Sequence, residues 1–174
     1  MLAQVHALLE REQIAHAVIG AAAQAVRGVA RSTLDLDLLV LDDRVLVPAM
    51  WSPLRSRGCH VEVRHGDEID PLLGVVRISE TAAASIDVIV ARASWARGVL
   101  DRATPESIAG VSLPVATAAD LVLLKLFAGG PQDAWDVDQL LDVDPTLAEE
   151  VESRIGVLPA RGQRLWKRIL SERG

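Results

Sequence analysis

Aromatic side chains are scarce in this chain: 174 residues include no tyrosine, one phenylalanine and four tryptophans. A core built with so few rings must be aliphatic, packed from Leu, Val, Ile and Ala. Half of the residues are hydrophobic, enough to supply it. Cysteine is scarcer still. Cys59 stands alone, so no internal disulfide can form and nothing points to an oxidising compartment. Long apolar runs are missing too. Residues 18–26 come nearest, but the stretch is too short to cross a bilayer and Gln24 and Arg27 interrupt it. Residues 1–11 lack the charged start and apolar stretch of a signal peptide, so the expected setting is cytoplasmic, with no membrane partner. Internal repeats and low-complexity linkers are absent, and the apolar content is too high for a disordered chain.

An excess of basic charge is also lacking. The net charge is −6, which argues against indiscriminate coating of nucleic acid. The charge is unevenly spread. Residues 154–174 hold six Lys/Arg and one Glu, a net of +5, which leaves −11 on residues 1–153. The basic tail either packs against an acidic body or meets an acidic partner.

What is present reads as a mixed α/β front and a helical back. Residues 2–12 place Val5, Leu8 and Leu9 at helical spacing. Residues 16–19 form a short apolar run ending at Gly20, a buried strand, and the Ala-rich stretch to Val26 suits a helix that stops near Gly28. Residues 34–41 are a strand. Residues 45–57 read as a helix capped or kinked by Pro48 and Pro53. Strands are expected at 60–64, 75–78, 85–90 and 111–115, with a helix at 95–103 between the last two. From Thr117 the pattern is helical throughout. Thr117 is an N-cap with Asp120 in the first turn, and helices follow at 121–127, 132–141, 146–155 and 160–172. The expected organisation is an α/β core over residues 1–115 and a helical region over 116–174. Trp135 and Trp166 fall at helical positions suited to packing.

Chemistry concentrates in Asp35-Leu36-Asp37. On a strand both carboxylates share one face, and Leu34, Leu36 and Leu38 share the other. Two like charges about 4 Å apart repel by ~4 kcal/mol at an effective dielectric near 20. Asp is also depleted in strands. A divalent cation offsets that cost, and Mg²⁺ takes carboxylate oxygens together with substrate phosphates. A third carboxylate, Asp87, alternates with Ile86, Val88 and Val90 on a second strand. Three acids on adjacent strands suit a two-metal phosphoryl transfer. Gly20, at a strand-to-helix junction, allows close backbone approach, and a helix N-terminus attracts phosphate. Arg31 adds a charge-assisted phosphate contact. Read singly, an Asp-x-Asp is a solvated edge, Gly20 a turn and Asp87 a surface acid; their order is what points to a site. His16, His60 and His65 show no metal-ligand spacing, and Cys59 has no catalytic partner nearby in sequence.

Ile19-Gly20-Ala21-Ala22-Ala23, followed by Gly28-x-x-Arg31-Ser32-Thr33-Leu34-Asp35-Leu36-Asp37, resembles the nucleotidyltransferase superfamily, and within it the AbiEii-type toxins and their uncharacterised bacterial relatives. The run from Ala119 to Val137, with Lys125 and the Asp133-x-x-Asp136 pair, resembles the same group's helical motif. The likeness covers about residues 16–141. It implies an α+β nucleotidyltransferase fold: a mixed sheet flanked by helices, with a helical C-terminal part. It implies Asp35, Asp37 and Asp87 as catalytic and metal-binding acids, and Lys125 near the triphosphate. Gly20, Ala21, Arg31, Thr33, Asp133 and Asp136 would line the nucleotide site. Mg²⁺ or Mn²⁺ would be the cofactor and an NTP the substrate. The acceptor hydroxyl would lie on RNA, a protein or a small molecule, the basic tail favouring an anionic acceptor such as tRNA. A cognate antitoxin is a further implied partner. The sequence departs from the pattern at Ala21, where the group has a small polar residue or Gly, and around residues 130–132, where it often has an Arg. An inactive nucleotidyltransferase-like partner module is the alternative, and a metal-dependent phosphohydrolase a weaker one.

Overall fold

The computed structural model describes residues 1–30, 33, 35–81 and 84–173. The chain divides into two compact units: Met1–Ala22 with Ser32–Ala116, and Ala23–Arg31 with Thr117–Gly174.

The first unit is organised around one mixed sheet. Its strands are β1 (His16–Ile19), β2 (Leu36–Val40), β3 (His60–His65), β4 (Leu72–Thr81), β5 (Ala84–Ala91), β6 (Thr104–Ile108) and β7 (Val111–Val115), in spatial order β3-β4-β5-β2-β1-β7-β6. The β1–β7 and β2–β5 pairs are parallel and the others antiparallel. The central strands are central because they are apolar. Ala17, Val18, Leu38, Val40, Val88 and Val90 are fully buried, as are Val76 and Ile78 on β4. β2 is closed on almost every side, so Asp37 is its one residue that is not buried. Helix α1 (Leu2–Arg11) turns Val5, Leu8 and Leu9 inward and touches β7.

Several expected elements change. The helix expected over 45–57 is instead two 3₁₀ turns, Asp43–Leu46 and Pro48–Trp51, and a single α-turn, α3 (Ser52–Arg55). Pro48 and Pro53 each sit in the first turn of a segment, where a missing N–H costs nothing, so each restarts the chain rather than kinking a longer helix. The region 95–103 likewise splits into a 3₁₀ turn, Ser94–Ala96, and α4 (Arg97–Arg102). β4 runs ten residues where four were expected, because its outer ends pair with β3 and β5 rather than relying on their own hydrophobicity. β6 was not expected at all. Its sequence, TPESI, carries no apolar alternation, and pairing with β7 makes it a strand. β2 begins at Leu36, so Asp35 lies just ahead of the strand instead of on it.

The second unit is helical. The C-terminal half of α2 (Gly20–Val26) belongs to it, with α5 (Ala118–Ala128), α6 (Pro131–Val143), α7 (Leu147–Arg154) and α8 (Ala160–Arg173). Thr117 caps α5, accepting from the Asp120 N–H at 3.2 Å. Gly129 ends α5 in the left-handed conformation, φ 69°. The α5 helix packs against α6, α7 and α8. Trp166 is buried, its indole N–H donating to Glu152 Oε2 at 2.6 Å. Trp135 is not a packing residue: it is 49% exposed on α6. The basic tail is partly tied within this unit. Arg173 pairs with Asp138 and Asp142, and Arg161 donates to Gly129 O. Among the described residues no helix is long and apolar enough to cross a membrane.

Leu38 on β2 is fully buried, whereas Ile69, in the β3–β4 connection, is 92% exposed. Leu38→Ala is expected to cost about 2–5 kcal/mol in urea unfolding, and Ile69→Ala less than about 0.5 kcal/mol.

Candidate active site

Strand register in the first unit sets two of the three acids side by side, while the ligand oxygens of Asp35, Asp37 and Asp87 do not all come within 4.8 Å of one another. Asp37 on β2 stands beside Asp87 on parallel β5, and opposite Ile19 at the end of β1. Neighbouring strands lie about 4.8 Å apart, so the two acids occupy adjacent positions on one face. The same row continues outward: Asp87 faces Arg77 on β4, and Arg77 faces Glu62 on β3. The row therefore reads Glu62, Arg77, Asp87, Asp37. Charge alternates along it except at its inner end, where two carboxylates are neighbours.

Asp35 joins this face from outside the strand. Its Oδ1 accepts from both the N–H of Ser85 at 3.1 Å and the Ser85 hydroxyl at 3.0 Å, which ties it two residues along β5 from Asp87. Oδ2 makes no hydrogen bond to the described residues. Thr33 shapes the approach: its hydroxyl donates to Asp35 O at 2.9 Å and accepts from the Asp35 N–H at 3.1 Å. In this structure Thr33 is thus a support for Asp35.

Gly20 is required by Asp37. It follows β1, opens α2 and has φ 65°. A Cβ built there would overlap the Asp37 carboxylate, with Asp37 Cγ at 3.0 Å. Glycine removes the steric cost of the left-handed backbone and the clash at once. Ala21 follows in the first turn of α2, and Arg31 lies outside the described residues.

Arg77 was not picked out from sequence. Its guanidinium grips Asp87 with both arms, Nε to Oδ1 at 2.8 Å and Nη2 to Oδ2 at 2.6 Å. This is the two-pronged geometry that makes arginine–carboxylate pairs strong. Asp87 holds the Arg77 guanidinium above its usual pKa, chiefly through these hydrogen bonds. The signal in the sequence was a lone cation inside the apolar run Leu72–Ile78, at a position that a half-buried strand fills only when a partner waits opposite. A cleft of about 270 Å³ lies beside this pair, with Arg64, His65, Asp70, Arg77 and Asp87 in its walls.

The donors suit a hard divalent cation. Asp35 and Asp37 present carboxylate oxygens, the ligand type Mg²⁺ prefers, and Asp35 Oδ2 has no competing partner among the described residues. The oxygens of Asp87 are both engaged by Arg77.

The remaining expected residues gather in the helical unit. Lys125 Nζ lies 3.0 Å from Asp133 Oδ1 and 2.7 Å from Asp136 Oδ2. Asp133 Oδ2 also accepts from the Gly130 N–H at 3.0 Å at the start of α6, and Gln132 reaches Asp136 Oδ1 at 3.3 Å. Asp136 is fully buried, and Lys125 is 19% exposed. Within this unit the three residues tie the end of α5 to the start of α6. Cys59 is buried, and burial pushes its thiol above the usual pKa, away from the reactive thiolate.

No family model matches the sequence, and no curated protein is similar enough in sequence to match. Solved structures do match. The crystal structure of ANT(2")-Ia in complex with adenylyl-2"-tobramycin aligns with a TM-score of 0.55 at 16% identity, covering 99% of this chain and 97% of that one. The chain has the nucleotidyltransferase fold. The solution structure of ANT(2")-Ia aligns at TM-score 0.50 and 14% identity, over 98% of this chain and 90% of that one. The lincomycin-bound lincosamide antibiotic adenylyltransferase LnuA aligns at TM-score 0.50 and 13% identity, over 82% and 95%. At these identities the likeness is one of fold.

If the Asp37 carboxylate is what forbids a side chain at Gly20, the two positions must couple. Gly20→Ala is expected to destabilise by roughly 1–3 kcal/mol. In an Asp37→Ala background the cost should shrink toward the left-handed strain alone, about 1 kcal/mol. A double-mutant cycle from urea unfolding measures the difference; an unchanged cost would break the link.

Proposed function

We propose that this protein transfers a nucleoside monophosphate from an NTP to an acceptor hydroxyl and releases pyrophosphate, with Mg²⁺ as cofactor. The observation that carries this reading is the adjacent register of Asp37 and Asp87 beside Gly20, in a chain of nucleotidyltransferase fold. Asp35 and Asp37 are the residues that would hold the cation. When bound, it supplies neutralising charge and polarises phosphate oxygens. Gly20 and Ala21 offer backbone N–H groups to the triphosphate, and Asp87 accepts the proton of the acceptor hydroxyl. The acceptor oxygen bonds to the α-phosphorus as the bond to the bridging α–β oxygen breaks, and the pyrophosphate departs with that electron pair. Arg77 keeps Asp87 in place, holding both of its oxygens on this face of the sheet. The cleft beside Asp87 gives the acceptor room.

The motif likeness to AbiEii-type toxins extends this reading to a toxin that modifies RNA or protein and is restrained by an antitoxin. A second reading, nucleotide binding without transfer, is favoured by one feature: both oxygens of Asp87 are already taken by Arg77. Titration calorimetry and pyrophosphate release separate the two.

The intact protein is expected to bind NTP with Mg²⁺ and to release pyrophosphate when acceptor-containing extract is added. Asp37→Asn should lower transfer by at least about 100-fold, the scale of a lost charge-stabilising group. Nucleotide binding without pyrophosphate release in any extract supports the binding module. No binding, or binding and release unchanged in Asp37→Asn, rejects the assignment.

A further inference from the structure

We propose that His6, Glu10 and His16 form a second cation site, selective for a zinc-class transition ion, at the end of β1 away from Gly20. The ligand atoms of these three residues lie within 4.8 Å of one another, and among the described residues no other three His, Cys, Asp or Glu meet that closely. The inference is independent of the assigned transfer reaction. His16 opens β1 and Gly20 follows its last residue, so four strand steps of about 3.3 Å, roughly 13 Å, separate this cluster from the phosphate turn.

The hydrogen bonding prepares a ligand set. His16 is buried, and its Nδ1 lies 2.9 Å from Ile14 O. A carbonyl only accepts, so Nδ1 carries the proton and Nε2 presents a lone pair. This is the arrangement of a metal-bound histidine, whose second ring nitrogen donates to a backbone carbonyl and so fixes the ring. The lone pair points at His6 Nδ1, 2.8 Å away, with the two rings edge to face. A single proton now bridges these nitrogens. A tetrahedral zinc with bonds of about 2.0–2.1 Å needs its two nitrogens about 3.3 Å apart. The rings must separate by about half an ångström, and His6 shifts its proton from Nδ1 to Nε2, with no net proton released. Glu10 is one helical turn beyond His6 on the same face of α1. Its Oε1 is 3.9 Å from His16 Nδ1, the nitrogen that donates to Ile14 O, so the side chain, which is 63% exposed, must swing to meet an ion at Nε2. Two imidazoles and a carboxylate leave a fourth position for water. Imidazole donors favour zinc, copper and nickel over Mg²⁺, which takes oxygen. The bound ion would tie α1 to β1 across the turn at residues 12–15.

The test uses the full chain, stripped of metal with a chelator and titrated with Co²⁺. The expected result is the visible ligand-field absorption of four-coordinate cobalt, saturating at one equivalent, displaced by Zn²⁺ and untouched by excess Mg²⁺. His6→Gln should abolish it. Glu10→Gln, at an exposed position that folding does not depend on, should weaken binding at least about tenfold. Asp37→Asn should leave it unchanged, and circular dichroism checks that each variant is folded. Absence of the absorption, its survival in both His6→Gln and Glu10→Gln, or its loss in Asp37→Asn overturns the proposal.

Discussion

Two carboxylates set side by side on neighbouring strands govern the organisation of the sheet-bearing unit. Across the row Glu62, Arg77, Asp87, Asp37, each charge has an opposite neighbour until the last pair. Like charges directly opposite destabilise a sheet. The structure answers part of that cost with Arg77, which takes both oxygens of Asp87, and leaves Asp37 against Gly20. Under the proposed function, a cation and a triphosphate bind against this pair of carboxylates.

The aliphatic core keeps that pair from moving apart. Val18, Leu38, Val40, Val88 and Val90 are fully buried, and a one-residue slip would turn each of them outward. The packing of these residues therefore fixes Asp37 beside Asp87. Gly20 completes the constraint from the junction of β1 and α2: any side chain there would displace the Asp37 carboxylate. In the helical unit Lys125, Asp133 and Asp136 form a compact ion cluster that sets the α5–α6 corner, where Gly129 ends α5 and the Gly130 N–H donates to Asp133.

Much of this was legible in the sequence, for identifiable reasons. The β1 run, the Gly20 junction and the alternation around Asp87 are short-range patterns, and the structure follows them. The nucleotidyltransferase fold was legible only through the order of two separated motifs. What was not legible depends on partners distant in the chain. β6 is a strand because β7 pairs with it, not because of its composition. Asp35 stops short of β2 and is held by Ser85, fifty residues away. Arg77 reads as one charge in an apolar run until register sets it opposite Asp87. His6 and His16 have no recognisable spacing, since a helix and a strand bring them together across a turn. Trp135 was expected to pack because it sits at a helical position, but periodicity does not say which face of α6 is covered.

The central proposal is that Asp37, set beside Asp87 by strand register, takes part in binding a nucleotide with its cation. Thermal unfolding of the native chain and of Asp37→Asn, each with and without Mg²⁺ and NTP, tests it most directly. The proposal predicts that the native protein gains stability from nucleotide and Mg²⁺ while the variant gains none. A variant stabilised as much as the native chain when ligand is added, or a native chain that ligand does not stabilise, would contradict it.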